Sequence, residues 1–366
     1  MSFAISLVLR VRFYPAFVID GDGASESRWM PGGAGNALSS WLDRISFRIP
    51  SRNMAYRGLG MMCRTERRSQ INETGGSEMI PVRHLTVSID GLNVFYREAG
   101  PREAPAIVLL HGFPSSSHMF RNLIPALADR YHVIAPDHIG FGYSSAPSLQ
   151  EFPYTFAALT DVTIGLLGHL GLDRYALYVQ NYGAPIGWHL ATRFPDRITA
   201  IVTQSGNAYV DGFVDTFWSG LFAYAAAPGP ATEPAVRAAL TPESVRWQYL
   251  NGVPDPSLVS PDTWTLDQVL LDRPGNAEIQ LRLFHDYPAN VDLYPSVHEY
   301  FRTSQVPLLA VWGANDEIFG PDGARAFRRD LPDAEIHFLD AGHFALESHL
   351  DAITGYIRGF LGRVLT

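Results

Sequence analysis

The chain has 366 residues, of which 46% are hydrophobic and 18% charged, an ordinary composition for a soluble globular enzyme with a large core. Its net charge of −9 argues against a nucleic-acid-binding surface, and no apolar run approaches the roughly 20 residues that a membrane span needs. The single cysteine, Cys63, excludes an intramolecular disulfide and favours a cytoplasmic, reducing compartment. Arginine is frequent and lysine is absent, which predicts a GC-rich, bacterial genome.

Residues 1–78 differ in character from everything that follows them. Arg, Gly, Ser and Met are scattered there without a sustained hydrophobic period, and turn-forming clusters such as residues 31–36 interrupt the stretch. Few apolar residues are available to build a core. We interpret this leader as disordered, or as an over-extended gene start with translation beginning at Met79. A small accessory domain and a targeting peptide are the alternatives.

A regular alternation of strand and helix patterns begins at Val82. The turn signal Asp90-Gly91 between two alternating stretches predicts a first hairpin. Continuous apolar runs then predict strands that are buried on both faces. This order predicts an α/β fold with a mostly parallel, doubly wound sheet. The predicted strands cover residues 84–89, 92–96, 106–110, 131–135, 174–179 and 198–203, and the predicted helices cover residues 119–127, 154–170 and 185–193.

The alternation stops between residues 207 and 303. This segment is rich in Pro and aromatic residues, and turns such as Gly252-Val253-Pro254 join its helical pieces. We interpret it as a helical cap that is inserted into a core domain made of residues 79–206 and 304–366. Strand and helix patterns resume after the cap, at residues 307–312, 321–330, 335–339 and 346–361.

Four short stretches follow predicted strands, at the edge of the sheet where open α/β folds bind ligands. One of them, Gln180-Asn181-Tyr182, lies between an apolar strand and a helix that begins with small residues, which is the layout of a nucleophile elbow. The chain order of elbow, acid and histidine is also that of the hydrolases that use such an elbow. The other three stretches are His111-Gly112-Phe113-Pro114, Gly313-Ala314-Asn315-Asp316 and Gly342-His343-Phe344.

With these motifs and the stretch Asp137-His138-Ile139-Gly140-Phe141-Gly142, the chain beyond its leader resembles the α/β-hydrolase fold family, and within it the epoxide hydrolases and haloalkane dehalogenases. In that branch an elbow Asp attacks an electrophilic carbon, and a histidine oriented by an acid activates the water that hydrolyses the alkyl-enzyme ester. The resemblance implies that Asn181 occupies the nucleophile position, with His343 as the base and Asp316 as its orienting acid. It also implies an oxyanion hole made by the backbone N–H groups of Phe113 and Tyr182.

The acid could stand at one other place in this branch, directly after the strand that precedes the cap. That stretch reads Gln204-Ser205-Gly206-Asn207 and has no carboxylate, which favours Asp316, with Glu317 as a neighbouring competitor. His111 is interpreted as a structural hydrogen-bonding residue rather than a base. Asp137 is interpreted as the residue that stabilises a turn.

Asn181 is the departure from the family pattern. A carboxamide is neutral and a much weaker nucleophile than a carboxylate, so the covalent route fails with this residue. Three interpretations are open. The chain is a substituted form of an Asp enzyme, or a natural homologue that only binds a small apolar ligand, or an enzyme whose Asn181 is hydrolysed in place to Asp by the water that His343 activates. A serine esterase is disfavoured because the elbow lacks Ser.

The resemblance implies a small apolar substrate and leaves two reactions open. Epoxide hydrolases protonate the opening oxygen with tyrosines, whereas haloalkane dehalogenases hold the halide with Trp or Asn N–H groups. Tyr182 replaces the usual elbow Trp, and Phe113 stands where many dehalogenases carry Asn, so an epoxide is favoured, with Tyr294 as a ring-opening acid. Trp218 and Asn207 keep the haloalkane reaction open as substrate-binding residues. No phosphate loop, metal cluster or cofactor motif stands out, so we predict no cofactor, no metal and no nucleic-acid or membrane partner.

Overall fold

The computed structural model describes residues 80–365. The leader, residues 1–78, and the proposed start at Met79 lie outside the described residues, so those interpretations stay predictions. Of the helices within residues 80–365, none combines the length and the apolar character that crossing a membrane requires.

The described chain is built on an eight-stranded sheet. The strands are β1 Arg83–Ile89, β2 Leu92–Ala99, β3 Ala106–Leu110, β4 His132–Pro136, β5 Tyr175–Gln180, β6 Ile198–Gln204, β7 Leu308–Gly313 and β8 Glu335–Leu339. They lie in the order β1-β2-β4-β3-β5-β6-β7-β8. The first two pairs in this order are antiparallel and the other pairs are parallel, so the predicted mostly parallel sheet is confirmed.

Helices cover both faces of this sheet. They are α1 Leu123–Leu127, α2 Phe156–His169, α3 Gly183–Arg193, α4 Asp215–Ala226, α5 Glu233–Arg237, α6 Pro242–Leu250, α7 Pro261–Leu271, α8 Asn276–Asp286, α9 Pro288–Ser304, α10 Pro321–Ala326 and α11 Ala345–Val364. Successive residues of a strand point to opposite faces. Accordingly, Val108 and Leu110 of β3 pack in one hydrophobic cluster with α2 and α3, whereas Ile107 and Leu109 pack in a second cluster with α1 and α11.

The helix predicted over residues 119–127 is divided in the structure. A short 3-10 helix, Ser117–Phe120, precedes α1. Proline lacks an N–H group and is tolerated only near a helix start. Pro125 would stand in the interior of a continuous helix, whereas the break places it in the first turn of α1. The helix predicted over residues 321–330 similarly ends as an α-helix at Ala326 and continues as the 3-10 helix Phe327–Arg329.

The chain between β6 and β7 is helical, from α4 to α9. Four of these six helices, α5, α6, α7 and α9, carry Pro in their first turn, where its fixed φ fits a helix and its missing N–H is not needed. Phe284 of α8 packs edge-on against Phe113, with ring centroids 5.3 Å apart, so these helices reach the residues that follow β3. The division into a core domain and a cap at residues 207–303 stays a prediction.

Candidate active site

The site begins at the sharp turn between β5 and α3. Asn181 adopts a left-handed conformation with φ of 47°, which Asn tolerates better than most residues. Two glycines make the turn possible. A Cβ on Gly183 would lie 2.0 Å from the backbone oxygen of Leu110, and a Cβ on Gly112 would lie 2.3 Å from the Cβ of Asn181. The β3 loop and the elbow therefore approach so closely that only glycine fits, and the predicted strand, turn and helix arrangement around Asn181 is present.

The carboxamide of Asn181 is fixed by the two backbone groups that sequence analysis assigned to an oxyanion hole. Its Oδ1 accepts hydrogen bonds from the N–H of Phe113 at 3.1 Å and the N–H of Tyr182 at 2.7 Å. Because both groups are donors, the atom between them must be the carboxamide oxygen rather than its nitrogen. The Nδ2 group consequently points to the other side, where it lies 3.1 Å from Nε2 of His343.

His343 is held from behind by Asp316. Its Nδ1 lies 2.9 Å from Oδ2 of Asp316, and both side chains are buried. Asp316 accepts three more hydrogen bonds, from the Ser205 hydroxyl at 2.7 Å and from the N–H groups of Ile318 and Phe319 at 2.8 and 3.1 Å. These bonds fix the carboxylate, which in turn fixes the imidazole ring. With the proton on Nδ1, the lone pair of Nε2 faces Asn181.

Ser205 is a residue of this site that sequence analysis did not assign. In the stretch after β6 only Asn207 was given a role, yet the Ser205 hydroxyl donates to Asp316 and the Ser205 backbone oxygen accepts the N–H of Asn181 at 3.3 Å. Ser205 itself has φ of 51°. The signal that could have found it is its place directly after a buried parallel strand, at the same edge as the elbow.

Gln180 is a second residue of the site without an assigned role. Its side-chain Nε2 lies 3.0 Å from Nε2 of His343, so the amides of Gln180 and Asn181 both face one imidazole lone pair. The side chain is fully buried, and its Oε1 has no hydrogen-bond partner within residues 80–365. Two donors thus compete for one acceptor beside Asn181.

His111 and Asp137 hold loops, in line with their interpretation as structural residues. His111 is fully buried, its Nε2 accepts the backbone N–H of His138 at 3.0 Å, and burial lowers its pKa to about 4. A neutral imidazole that is already bonded is a poor base for a substrate. The two oxygens of Asp137 accept the backbone N–H groups of Ser117 and Tyr143, each at 2.7 Å, which fixes the turn after β4.

The N–H groups of Trp218 and Asn207 are bonded within the protein. The indole of Trp218 is 2% exposed and donates to the backbone oxygen of Ile318 at 2.7 Å. The Nδ2 of Asn207 donates to the backbone oxygen of Tyr209 at 2.6 Å and lies 3.4 Å from the hydroxyl of Tyr294. The N–H groups that kept the haloalkane reaction open are therefore already bonded to backbone oxygens. The role of Trp218 and Asn207 in substrate binding stays a prediction, and these bonds disfavour it.

Three buried phenols neighbour one another in series: Tyr182 belongs to the elbow, Tyr287 lies beside Tyr182, and Tyr294 neighbours Tyr287. The rings of Tyr182 and Tyr287 are 5.9 Å apart, and the Tyr182 hydroxyl has no hydrogen-bond partner in the described part of the chain. Burial raises the pKa of Tyr287 well above its usual value, and the neighbouring Tyr294 and Tyr182 raise it further. Burial also raises the pKa of Tyr294, so these hydroxyls keep their protons at neutral pH. Of these three hydroxyls, only that of Tyr294 has a role predicted from the sequence.

Known proteins resemble this chain in sequence and in overall fold. The model of the alpha/beta hydrolase fold family matches residues 105–350. A protein of Saccharomyces cerevisiae named as an uncharacterized hydrolase is 46% identical over 282 residues, covering 76% of this chain and 96% of that protein. The epoxide hydrolase A of Mycobacterium tuberculosis is 38% identical over 120 residues, covering 32% of this chain and 37% of that enzyme.

Solved structures share the fold of this chain. The crystal structure of a haloalkane dehalogenase from Bradyrhizobium elkani aligns with a TM-score of 0.64 at 22% identity, covering 78% of this chain and 99% of that one. At this level of identity the structural alignment shows a shared fold, whereas the family model and the longer sequence matches show family membership. Proteins named as epoxide hydrolases and as haloalkane dehalogenases are thus among its relatives, and the chain itself belongs to the α/β-hydrolase fold family.

Proposed function

We propose that the protein is a hydrolase of the epoxide hydrolase type, which opens a small apolar epoxide through an ester on residue 181 once that residue is an aspartate. The observation that carries this proposal is the position of the Asn181 side chain. One of its terminal atoms is held by two backbone N–H groups, and the other faces Nε2 of His343, which Asp316 supports. An aspartate of the same shape would meet an oxyanion hole on one oxygen and a base beside the other.

Each residue then has a defined part in the reaction. The carboxylate of an aspartate at position 181 attacks an epoxide carbon, and the carbon–oxygen bond of the ring breaks. A buried phenol protonates the departing oxygen. His343 takes a proton from water, the water attacks the ester carbonyl, and the N–H groups of Phe113 and Tyr182 stabilise the resulting oxyanion. When this intermediate collapses, the ester bond to the substrate oxygen breaks, and that oxygen takes up the proton of the newly formed carboxyl group, which releases the diol and restores the aspartate. His343 returns its proton to the phenolate, so one water is consumed and both side chains regain their starting states.

The tyrosines favour an epoxide over a haloalkane. An opening epoxide develops charge on an oxygen that must be protonated, and burial keeps the phenols of Tyr182, its neighbour Tyr287, and Tyr294 protonated. A departing halide needs N–H donors, and those of Trp218 and Asn207 already bind backbone oxygens. Hydrolysis of a carbon–halogen bond remains the alternative reaction, and binding of an apolar ligand without turnover remains the alternative function.

Purified Asn181→Asp protein, assayed on styrene oxide and on a set of haloalkanes, tests the proposal. We expect diol formation from the epoxide and little halide release. Adding His343→Gln to this variant should stop turnover and leave the substrate attached to the elbow peptide, because ester formation does not need the base. Halide release without diol would favour the dehalogenase reaction. Tight ligand binding without either product would favour the non-catalytic function.

A further inference from the structure

We infer that the site converts its own Asn181 to aspartate by hydrolysing the side-chain amide. This rests on the proposed function, because amide hydrolysis would use the oxyanion hole and the base that the ester hydrolysis needs. A single residue is modified, and a chain with an Asn codon at the elbow thereby acquires a carboxylate nucleophile.

The first support is that the amide carbonyl already lies where an ester carbonyl would be attacked. Oδ1 of Asn181 accepts two backbone N–H groups, at 2.7 and 3.1 Å. These donors polarise the carbonyl and stabilise the negative charge that forms on the oxygen when water adds. Asn181 is 5% exposed, so the oxyanion would form in a low-dielectric surrounding where such hydrogen bonds are strongest.

The second support is the position of the base. Nε2 of His343 is 3.1 Å from the amide nitrogen of Asn181, and its partner Asp316 stabilises the imidazolium that forms during proton transfer. Water gives one proton to His343 while its oxygen bonds to the side-chain carbon. His343 then returns that proton to the amide nitrogen, the carbon–nitrogen bond breaks, and ammonia leaves. One water is consumed and one ammonia released, with no oxidation or reduction.

The third support is that the amide fits this place less well than a carboxylate would. The amides of Gln180 and Asn181 both direct donors at the one lone pair of His343, so one N–H is poorly satisfied in a buried site. An aspartate replaces the donor of residue 181 with an acceptor. The product therefore removes the competition and gains an ion pair whenever His343 is protonated.

A different chemistry, spontaneous deamidation, gives a distinguishable product. That route needs the backbone nitrogen of the following residue to attack the side-chain carbon, and it yields a mixture of aspartate and isoaspartate. At the elbow, the N–H of Tyr182 is engaged with Oδ1 of Asn181. Direct hydrolysis by water yields aspartate alone. Asn251, which precedes Gly252, provides an internal reference for the spontaneous route.

The experiment is a peptide mass map of the protein as written, incubated in H2¹⁸O and sampled over days. We expect the elbow peptide to convert to aspartate with one ¹⁸O in its side chain and no isoaspartate. In His343→Gln and Asp316→Asn proteins we expect conversion to be at least about 100-fold slower. The rate of deamidation at Asn251 should be the same in all three proteins, which would show that the substitutions change only the hydrolysis at Asn181.

The outcomes separate this inference from the proposed function. An elbow peptide that keeps its amide, in protein whose Asn181→Asp variant turns over epoxide, would overturn self-hydrolysis and leave the proposed function standing. Conversion to aspartate without epoxide turnover would support self-hydrolysis and overturn the proposed function. Equal conversion in the wild type and in both folded variants, or a product rich in isoaspartate, would assign the change to spontaneous chemistry and also overturn the inference.

Discussion

At position 181 an amide and a carboxylate differ by one nitrogen in place of one oxygen, yet this one atom reverses the direction of a hydrogen bond in the site. The amide offers His343 a donor, whereas a carboxylate offers it an acceptor. The backbone donors of Phe113 and Tyr182 suit either group, because each has an oxygen to place between them. Chemistry at this residue therefore depends on the second atom of the side chain.

Asn181→Asp should raise epoxide turnover by at least about 1000-fold over protein that retains the amide, because only the carboxylate is a competent nucleophile. The comparison requires wild-type protein whose elbow peptide is shown by mass to be unconverted. Rates of diol formation at saturating epoxide provide the measurement. Equal rates for the two proteins would mean that residue 181 does not attack the substrate.

Tyr294→Phe, made in the Asn181→Asp protein, should lower the kcat for an epoxide by about 100-fold, because a proton donor to the opening oxygen is lost. Its control is Tyr300→Phe on the same helix, α9. The Tyr300 hydroxyl is also buried and has no partner within residues 80–365, so its removal costs little. If both substitutions leave kcat unchanged, Tyr182 and Tyr287 become the candidates for the proton donor.

The residues that face one another at the site were partly predictable from the sequence. Asn181, Asp316 and His343 could be located because each follows a strand of a parallel sheet, and parallel strands end at the same edge. The contact between Ser205 and Asp316 could not be predicted, because it depends on the direction of a side chain in a turn with positive φ. Similarly, Trp218 was assigned by residue type, while its N–H direction is decided by tertiary packing.

At the scale of elements, the elbow depends on how closely α3 approaches β3. Gly183, the first residue of α3, faces the backbone oxygen of Leu110, the last residue of β3. A backbone atom cannot rotate away as a side chain can, so any Cβ at Gly183 must push the helix from the sheet. That movement would also shift the N–H of Tyr182, which lies between Asn181 and the helix start.

Gly183→Ala should therefore destabilise the protein by about 2 kcal/mol or more and weaken the oxyanion hole. The control is Gly168→Ala in α2, where a Cβ meets no atom within 4 Å. Alanine in that exposed helical position should stabilise by about 0.5 to 1 kcal/mol. Urea unfolding of both variants measures the difference. A Gly183→Ala protein as stable as the wild type would contradict the close packing of α3 on β3.

Element positions were easier to predict than element ends. The buried strands stand within one or two residues of their predicted places because continuous apolar runs between turn residues are a strong signal. The helix predicted over residues 119–127 is instead broken before Leu123, because a continuous helix would place Pro125, which lacks an N–H, in its interior. The position of a proline therefore sets where this helix begins, which hydrophobic periodicity alone does not show.

At the scale of the whole molecule, a buried acid on α7 links the helices between β6 and β7 to the loop that carries His343. Asp267 of α7 is 1% exposed, and its Oδ2 accepts the hydroxyl of Tyr249 at 2.5 Å. The Tyr249 ring stacks on Phe344, with centroids 3.9 Å apart, and Phe344 directly follows His343. The other oxygen of Asp267 has no hydrogen-bond partner within residues 80–365, so its charged form is poorly solvated.

This burial gives the folded protein a dependence on pH that one substitution should remove. Burial raises the pKa of Asp267 to about 7, whereas in the unfolded chain the carboxyl titrates near its ordinary pKa of about 4. Between these values the folded state binds the extra proton. The contribution of Asp267 to stability is therefore greatest below about pH 4 and is lost as pH rises through about 7, by up to about 4 kcal/mol.

Asp267→Asn should flatten this dependence, because an amide does not titrate. Comparing urea unfolding at about pH 5 and pH 8, we expect the wild type to lose more stability than the variant over this interval. Asp262→Asn, which changes an exposed carboxylate on the same helix, controls for the effect of net charge and should behave like the wild type. If wild type and Asp267→Asn lose the same free energy of unfolding, Asp267 is already charged at pH 5, and the bond from Tyr249 outweighs the cost of burial. A flatter profile in Asp267→Asn alone would identify this carboxyl as a proton-binding group of the fold that lies two aromatic rings from His343.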